Sequence, residues 1–368
     1  MQPFNCAVCG QIVFFDNSTC LRCSSPLGYL RSERALVALE TPEGEDDATA
    51  MITAAAMERA DRPGRTYRRC ANQIIARCNW LLTEDDEGEL CASCRLTAVR
   101  PNDDEVDALE AFADAEQAKR RLLHQLDIIG LPVVGRDEDE ERGVAFEFLS
   151  SRNQQVMTGH DGGVITLDLS ESDDAHREFV RQQMGEAYRT VLGHLRHEIG
   201  HYYWPRLVVD ADRVEGFREL FGDETISYQD ALDQHYADGD ASTSWVDSYV
   251  SEYATMHPWE DWAETFAHYL HIRAGLHTAK AYGITIGEPA VTAARETYTP
   301  DVGVDVGPTV QAWLGLTLGL NAMSRSIGEG DLYPFVLSTD VIAKLDFVHR
   351  CVTAGTEAPA TDRSAARS

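Results

Sequence analysis

His197-Glu198-Ile199-Gly200-His201 sets two imidazoles four residues apart around a glutamate, in a stretch that reads as helix. Residues four apart on an α-helix lie one turn above each other. Both rings can therefore reach one zinc ion while Glu198 stands beside the metal's remaining position. That set suits one chemistry well: the metal activates a water molecule, and the carboxylate takes its proton as the water attacks a carbonyl. Zinc used in this way takes three protein ligands, so a third donor must come from elsewhere in the chain.

The segment His257-Pro258-Trp259-Glu260-Asp261-Trp262-Ala263-Glu264-Thr265-Phe266-Ala267-His268 is the place to look. Pro258 suits the first turn of a helix, on which Trp259, Trp262, Phe266 and Tyr269 form an apolar stripe while Glu260, Glu264, His268 and His271 run along another face. Glu264 is taken as the third ligand. Ala263 and Ala267 flank it, and together with Gly200 they predict a close approach of the two helices. Glu260 and Asp261 stand as alternatives, and His268 is placed to hydrogen-bond behind the ligands.

A second chemistry lies in the cysteines, eight of which fall before residue 95. Cys6-x-x-Cys9 and Cys20-x-x-Cys23 each offer two thiolates from a tight turn, and two such turns supply the four donors of a tetrahedral zinc site. Cys70, Cys78, Cys91 and Cys94 form a second set in which only the last pair has the same spacing. A second four-thiolate site is expected there. Cys351 stands alone and is expected to pack in the core.

The elements that must position these groups follow from the patterning. Val106, Leu109, Phe112, Leu122, Leu123 and Leu126 have helical spacing over residues 105–126, and Gly130 and Pro132 end that pattern. Val144–Leu149 and Val164–Leu169 read as strands of a small antiparallel sheet joined through the turn at residues 159–163. A long helical stretch then starts at Ser170 or Ser172, with Gly185 as a point of interruption, and stops at Pro205. Helices over Val310–Met323 and Thr339–Val352 would close the back of the domain. Glu43–Asp47 reads as a linker, and residues 353–368 read as a disordered tail.

The net charge of −29 argues against sequence-independent binding to nucleic acid, which needs a basic surface. Arg59, Arg62, Arg65, Arg68 and Arg69 form the one basic stripe, expected to be a solvated face. No run approaches about 18 apolar residues, and Met1–Gly10 lacks the pattern of a signal peptide. The expectation is a cytoplasmic protein without membrane association, whose cysteines hold metal rather than form disulfides.

Residues 197–201 together with Glu264-Thr265-Phe266-Ala267 are similar to the gluzincin peptidases. That resemblance implies zinc on His197, His201 and Glu264, with Glu198 as general base, and makes the residues between Gly216 and Met256 an insertion. Nearly the full length resembles a bacterial family of zinc-binding metallopeptidases that joins an N-terminal zinc ribbon to a peptidase domain. The stretches that carry the likeness are Cys6-Ala7-Val8-Cys9-Gly10, Cys91-Ala92-Ser93-Cys94-Arg95, His197–Trp204 and His257–Glu264.

These readings predict an α+β chain: a cysteine-rich zinc-ribbon region over 1–100, a mainly helical zincin-like domain over 101–352 and the tail beyond. One catalytic and one or two structural zinc ions are expected, with a peptide or protein as substrate. Tyr249, Tyr253, His160 and His235 are candidates to donate to the oxyanion that such a reaction forms. The competing reading is an adaptor whose ribbons bind a protein while the helix-borne zinc is structural, its fourth position closed by His194 or His268.

Overall fold

The computed structural model describes residues 1–40, 57–59, 62–152, 155–227, 243–298 and 304–357, so the linker at Glu43–Asp47, His235 and residues 358–368 lie outside the described residues. The chain divides into two compact units, one of Met1–Gln125, Val133–Leu195 and His277–Ile284, the other of Leu126–Pro132, Arg196–Leu276 and Thr285–Ser368. No described helix is long and apolar enough to cross a membrane.

In the first unit each early cysteine pair sits at the tip of a short ladder. Strands β1 (Phe4–Asn5) and β2 (Ile12–Val13) pair antiparallel around the Cys6–Cys9 turn, which is closed by the Gly10 amide donating to the Cys6 carbonyl at 2.9 Å. The Cys20–Cys23 turn is closed likewise, with Ser24 N donating to Cys20 O at 2.8 Å. It leads into the hairpin of β3 (Leu27–Leu30) and β4 (Ala35–Ala38). Strands β5 (Met57–Arg59), β6 (Arg62–Arg69) and β7 (Leu81–Leu82) form a separate sheet. Leu30, Val37, Leu39, Tyr67 and Leu81 pack as the apolar cluster between these strands.

Helix α1 spans Val106–Ile129, and of its predicted apolar positions Phe112, Leu122, Leu123 and Leu126 are fully buried, whereas Leu109 is half-buried and Val106, in the first turn, is exposed. Its charged positions Glu116, Lys119 and Arg120 are buried as well, which the spacing did not predict. Strand β8 (Thr97–Val99) pairs parallel with β9 (Ala145–Leu149), so the sheet extends across residue 100.

The strands before the motif helix exist where expected but pair differently. β9 and β11 (Val164–Asp168) run parallel, and the antiparallel neighbour of β11 is β10 (Gly159–Asp161), giving the order β10-β11-β9-β8. The stretch read as a turn is itself strand plus turn. Gly162 and Gly163 make the reversal with positive φ, and a side chain on Gly163 would sit 2.5 Å from the Gly143 carbonyl oxygen. β10 runs from the level of Glu147 back to the level of Ala145, so the chain enters β11 at the starting end of β9, which is what a parallel neighbour requires.

The long helical stretch resolves into α2 (Asp174–Gln183), a break at Gly185 with φ of +66°, and α3 (Val191–Trp204). The α-helix ends before Pro205, and Pro205–Val209 continue as one π-helical turn. There follow α4 (Val214–Phe221), α5 (Pro258–Tyr282, in the second unit as far as Leu276), α6 (Ala290–Thr297), α7 (Gly307–Ser326) and α8 (Thr339–Glu357). Helix α8 extends past the expected boundary, so residues 353–357 are helix rather than tail. Phe217, Phe221, Trp262 and Phe347 form an aromatic core with neighbouring ring centroids 4.9–6.3 Å apart.

Candidate metal centre

Two helices build the centre. The α3 backbone comes close to α5 where a side chain on Gly200 would lie 3.1 Å from Ala263 Cα, so only a glycine on one side and a small residue on the other permit the crossing. Trp262 Nε1 donates to the Gly200 carbonyl at 2.9 Å and fixes the register of the two helices. Of the small residues noted in the sequence, Gly200 and Ala263 meet at the crossing.

That register brings His197 Nε2, His201 Nε2 and Glu260 Oε2 together. The two nitrogens stand 3.2 Å apart, and the carboxylate oxygen is 3.0 Å from His197 and 3.3 Å from His201. All three residues are buried. Donors at about 2.0–2.1 Å from a tetrahedral zinc stand about 3.3 Å apart, so these separations fit the metal.

Glu264 occupies the other side of His197. Its Oε1 accepts from His197 Nδ1 at 2.7 Å, and its Oε2 accepts from the Ser251 hydroxyl at 2.6 Å. Burial alone would raise the Glu264 pKa, but the hydrogen bonds from His197 and Ser251 and the charge near His197 outweigh it and hold the group at about 2. An ionised carboxylate only accepts, so the proton is on Nδ1 and the Nε2 lone pair faces the other two donors. Three lone pairs converging in a buried space call for a cation. Burial opposes charge on the His197 ring, yet without a cation Glu260 and Glu264 pull its pKa well above the ordinary value, so a metal would take the place of a second proton on Nε2.

The structure thus brings Glu260, and not Glu264, to the two Nε2 atoms. Asp261, the other alternative, pairs instead with Lys344 Nζ at 2.6 Å. The signal in the sequence was a second i, i+4 pair, Glu260 and Glu264, matching His197 and His201. One member faces Nε2 and the other Nδ1, and spacing alone does not say which.

Glu198 lies next to the ligand set and is buried. Its pKa is pushed up to about 7, first by burial and then by the charges of Glu260 and Glu264, against the opposite pull of His197. The rings of the centre are walled by aromatics: Trp259 lies 4.0 Å from His201 and Tyr253 lies 5.7 Å from His197, centroid to centroid. His194 and His268 are engaged elsewhere, His194 Nε2 with Glu171 at 3.2 Å and His268 Nδ1 with the Tyr333 hydroxyl at 2.9 Å. Among the described residues no fourth His, Cys, Asp or Glu joins the group of His197, His201 and Glu260.

Both cysteine sets also converge. Cys6 and Cys23 sulfurs lie 3.7 Å apart, Cys9 and Cys20 3.6 Å, and Cys78 and Cys91 3.6 Å. Four sulfurs about 2.3 Å from a tetrahedral zinc stand about 3.8 Å apart, so the donor sets fit. Cys70 and Cys94 complete the second group despite the seven residues between Cys70 and Cys78. Cys351 is buried and separate, as expected of a packing residue.

Residues 108–351 match the family described as "Putative zinc-binding metallo-peptidase", and residues 3–105 match a zinc-ribbon domain. The chain belongs to this zinc-binding metallopeptidase family. An uncharacterized protein of Mycobacterium bovis and another of Mycobacterium tuberculosis are each 46% identical to it over 353 residues, which cover 96% of this chain and 95% of theirs. No solved structure matches the chain. Family membership accounts for the order of parts, zinc ribbon first and metallopeptidase region second. What sequence reasoning missed in this family member is the surroundings of the centre: the Ser251 hydroxyl behind Glu264, the Trp259 ring against His201 and the Lys344 that removes Asp261. Lys344 lies far from both motifs in the sequence and Ser251 stands six residues before His257, and no spacing rule connects either to its partner.

Proposed function

We propose that this chain is a zinc-dependent peptidase in which His197, His201 and Glu260 hold the metal, and that each cysteine group holds a structural zinc. The observation that carries the reading is the convergence of three buried lone-pair donors beside Glu198, with His197 oriented from behind by Glu264. Zinc bound there supplies a Lewis acid for the substrate carbonyl and lowers the pKa of water toward about 7. Glu198 takes a proton from the attacking water and passes it to the leaving amine as the carbon–nitrogen bond breaks. Glu264 and Ser251 keep the His197 ring in one tautomer and one orientation. The substrate in this reading is a peptide or protein.

A closed structural site would need a fourth protein donor, and both histidines considered for that place have other partners. The test is metal content by mass spectrometry together with hydrolysis of fluorescein-labelled casein by the wild type and Glu198→Gln. The variant is expected to keep three zinc ions per chain and to lose turnover. Equal turnover in the two proteins would remove Glu198 from the mechanism.

A further inference from the structure

Helix α5 starts at Pro258, so Glu260 stands in its first turn, where backbone amides have no partner inside the helix and the turn frays unless something outside holds it. A carboxylate that must meet two imidazole nitrogens to within about 0.5 Å needs a firmer base than that. We infer that Lys344 of α8 is the positioning residue that supplies it, an assignment that rests on the metal-binding reading above. The His257 ring accepts the Trp259 amide at 3.0 Å at the very start of the helix, and Lys344 adds the tie just beyond Glu260. Lys344 is 5% exposed, and its Nζ donates to Asp261 Oδ2 at 2.6 Å and to the Ser248 carbonyl at 2.7 Å. One ammonium thus grips both the residue next to Glu260 and the segment that leads to Ser251.

Each arm of this grip continues to the centre. One turn of α8 holds Ser248 twice, Lys344 at its carbonyl and Asp340 Oδ2 by accepting its hydroxyl at 2.9 Å. Ser251, three residues on, donates to Glu264, and Glu264 accepts from His197 Nδ1. On the other arm the second Asp261 oxygen, Oδ1, accepts the Thr265 hydroxyl at 3.4 Å, so the carboxylate beside Glu260 is held at both oxygens. The rings of Tyr249 and Phe221, 4.1 and 5.6 Å from the ammonium, close over it. A buried ion pair gains little net stability, because the cost of taking both ions out of water offsets most of their attraction. What it fixes is direction, and here both directions end at Glu260 and Glu264, the two carboxylates that flank the His197 ring.

Lys344→Met alone would leave Asp261 buried without its partner, so the test uses the paired substitution Asp261→Asn with Lys344→Met. Full chains that keep zinc in the cysteine groups are loaded with cobalt at the histidine site, and the visible cobalt spectrum is titrated with a competing chelator for the wild type, the paired variant, His201→Ala and Arg350→Ala. The paired variant is expected to unfold at the wild-type urea midpoint but to bind cobalt about 10- to 100-fold more weakly, with an altered spectrum. Arg350→Ala, which breaks the Arg350–Asp346 pair farther along α8, is expected to bind cobalt as the wild type does. Wild-type affinity and spectrum in the paired variant overturn the assignment. So does its failure to fold, or an equal loss of affinity in Arg350→Ala, since either makes Lys344 a support of the fold alone. If the wild type binds cobalt no better than His201→Ala, the metal reading itself fails. If Glu198→Gln turns over like the wild type while the paired variant binds cobalt weakly, the peptidase reading fails and the assignment of Lys344 stands.

Discussion

The two cysteine groups offer the same four sulfurs in opposite settings. In the first, Cys9 and Cys23 are half-buried, and the residues inside the two turns face water, Leu21 with 94% of its surface exposed. In the second all four cysteines are buried, and α1 lies over them. Arg120 of α1, 2% exposed, donates to the carbonyls of Ala76 and Arg77, which lead into Cys78. Glu116, one turn earlier, meets Arg120, Lys119 and the Cys94 sulfur. A four-thiolate centre can thus be a peripheral turn or the inside of a core, and the difference lies in the helix packed on it.

The largest expected effect follows from that difference. Structural zinc in small modules contributes about 10–16 kcal/mol of apparent binding free energy, and in the second group that energy is coupled to the packing of α1. Cys78→Ser is expected to abolish cooperative unfolding of the first unit, read by thermal denaturation and by soluble yield. Cys9→Ser is expected to lose one zinc ion and to unfold within about 1 kcal/mol of the wild type, as loss of a peripheral turn should. Equal damage from the two substitutions would erase the distinction between the groups.

Zinc release sharpens the same contrast with a smaller effect. With a chromogenic chelator, release is expected in separate phases, and the phase missing from Cys9→Ser is expected to be at least about 10-fold faster than the slowest, because exchange needs access to the sulfurs or local opening. A single phase for all the zinc would mean that α1 does not shield the second group.

How much of this was legible varies with how local the cause is. The motif on α3 and the Cys6–Cys23 turns were readable because ligand spacing within one turn of helix or one knuckle is a short-range property. Spacing could not tell which of Glu260 and Glu264 stands at Nε2, because the two lie on one face of α5 and the answer depends on the crossing at Gly200 and Ala263. The pairing of β9 with β11 was misread because β10, hidden in an apparent turn, took the antiparallel place. The cover over the second cysteine group was invisible because Glu116, Lys119 and Arg120 look in sequence like a solvated helix face.

The last contrast comes from one arginine in each group. Arg22 reaches the Cys9 carbonyl at 3.4 Å from an exposed position, whereas Arg120 makes the corresponding bonds to Ala76 and Arg77 from inside the core. Arg120→Ala would leave two carbonyls and part of the Glu116 charge without a buried partner, and breaking a buried pair costs about 3–5 kcal/mol. Arg22→Ala removes a contact that water replaces, and a change within about 0.5 kcal/mol is expected. Urea denaturation of the two variants measures both costs. If Arg22→Ala cost as much as Arg120→Ala, the first group would be a buried part of the fold, and its fast release of zinc would need another cause.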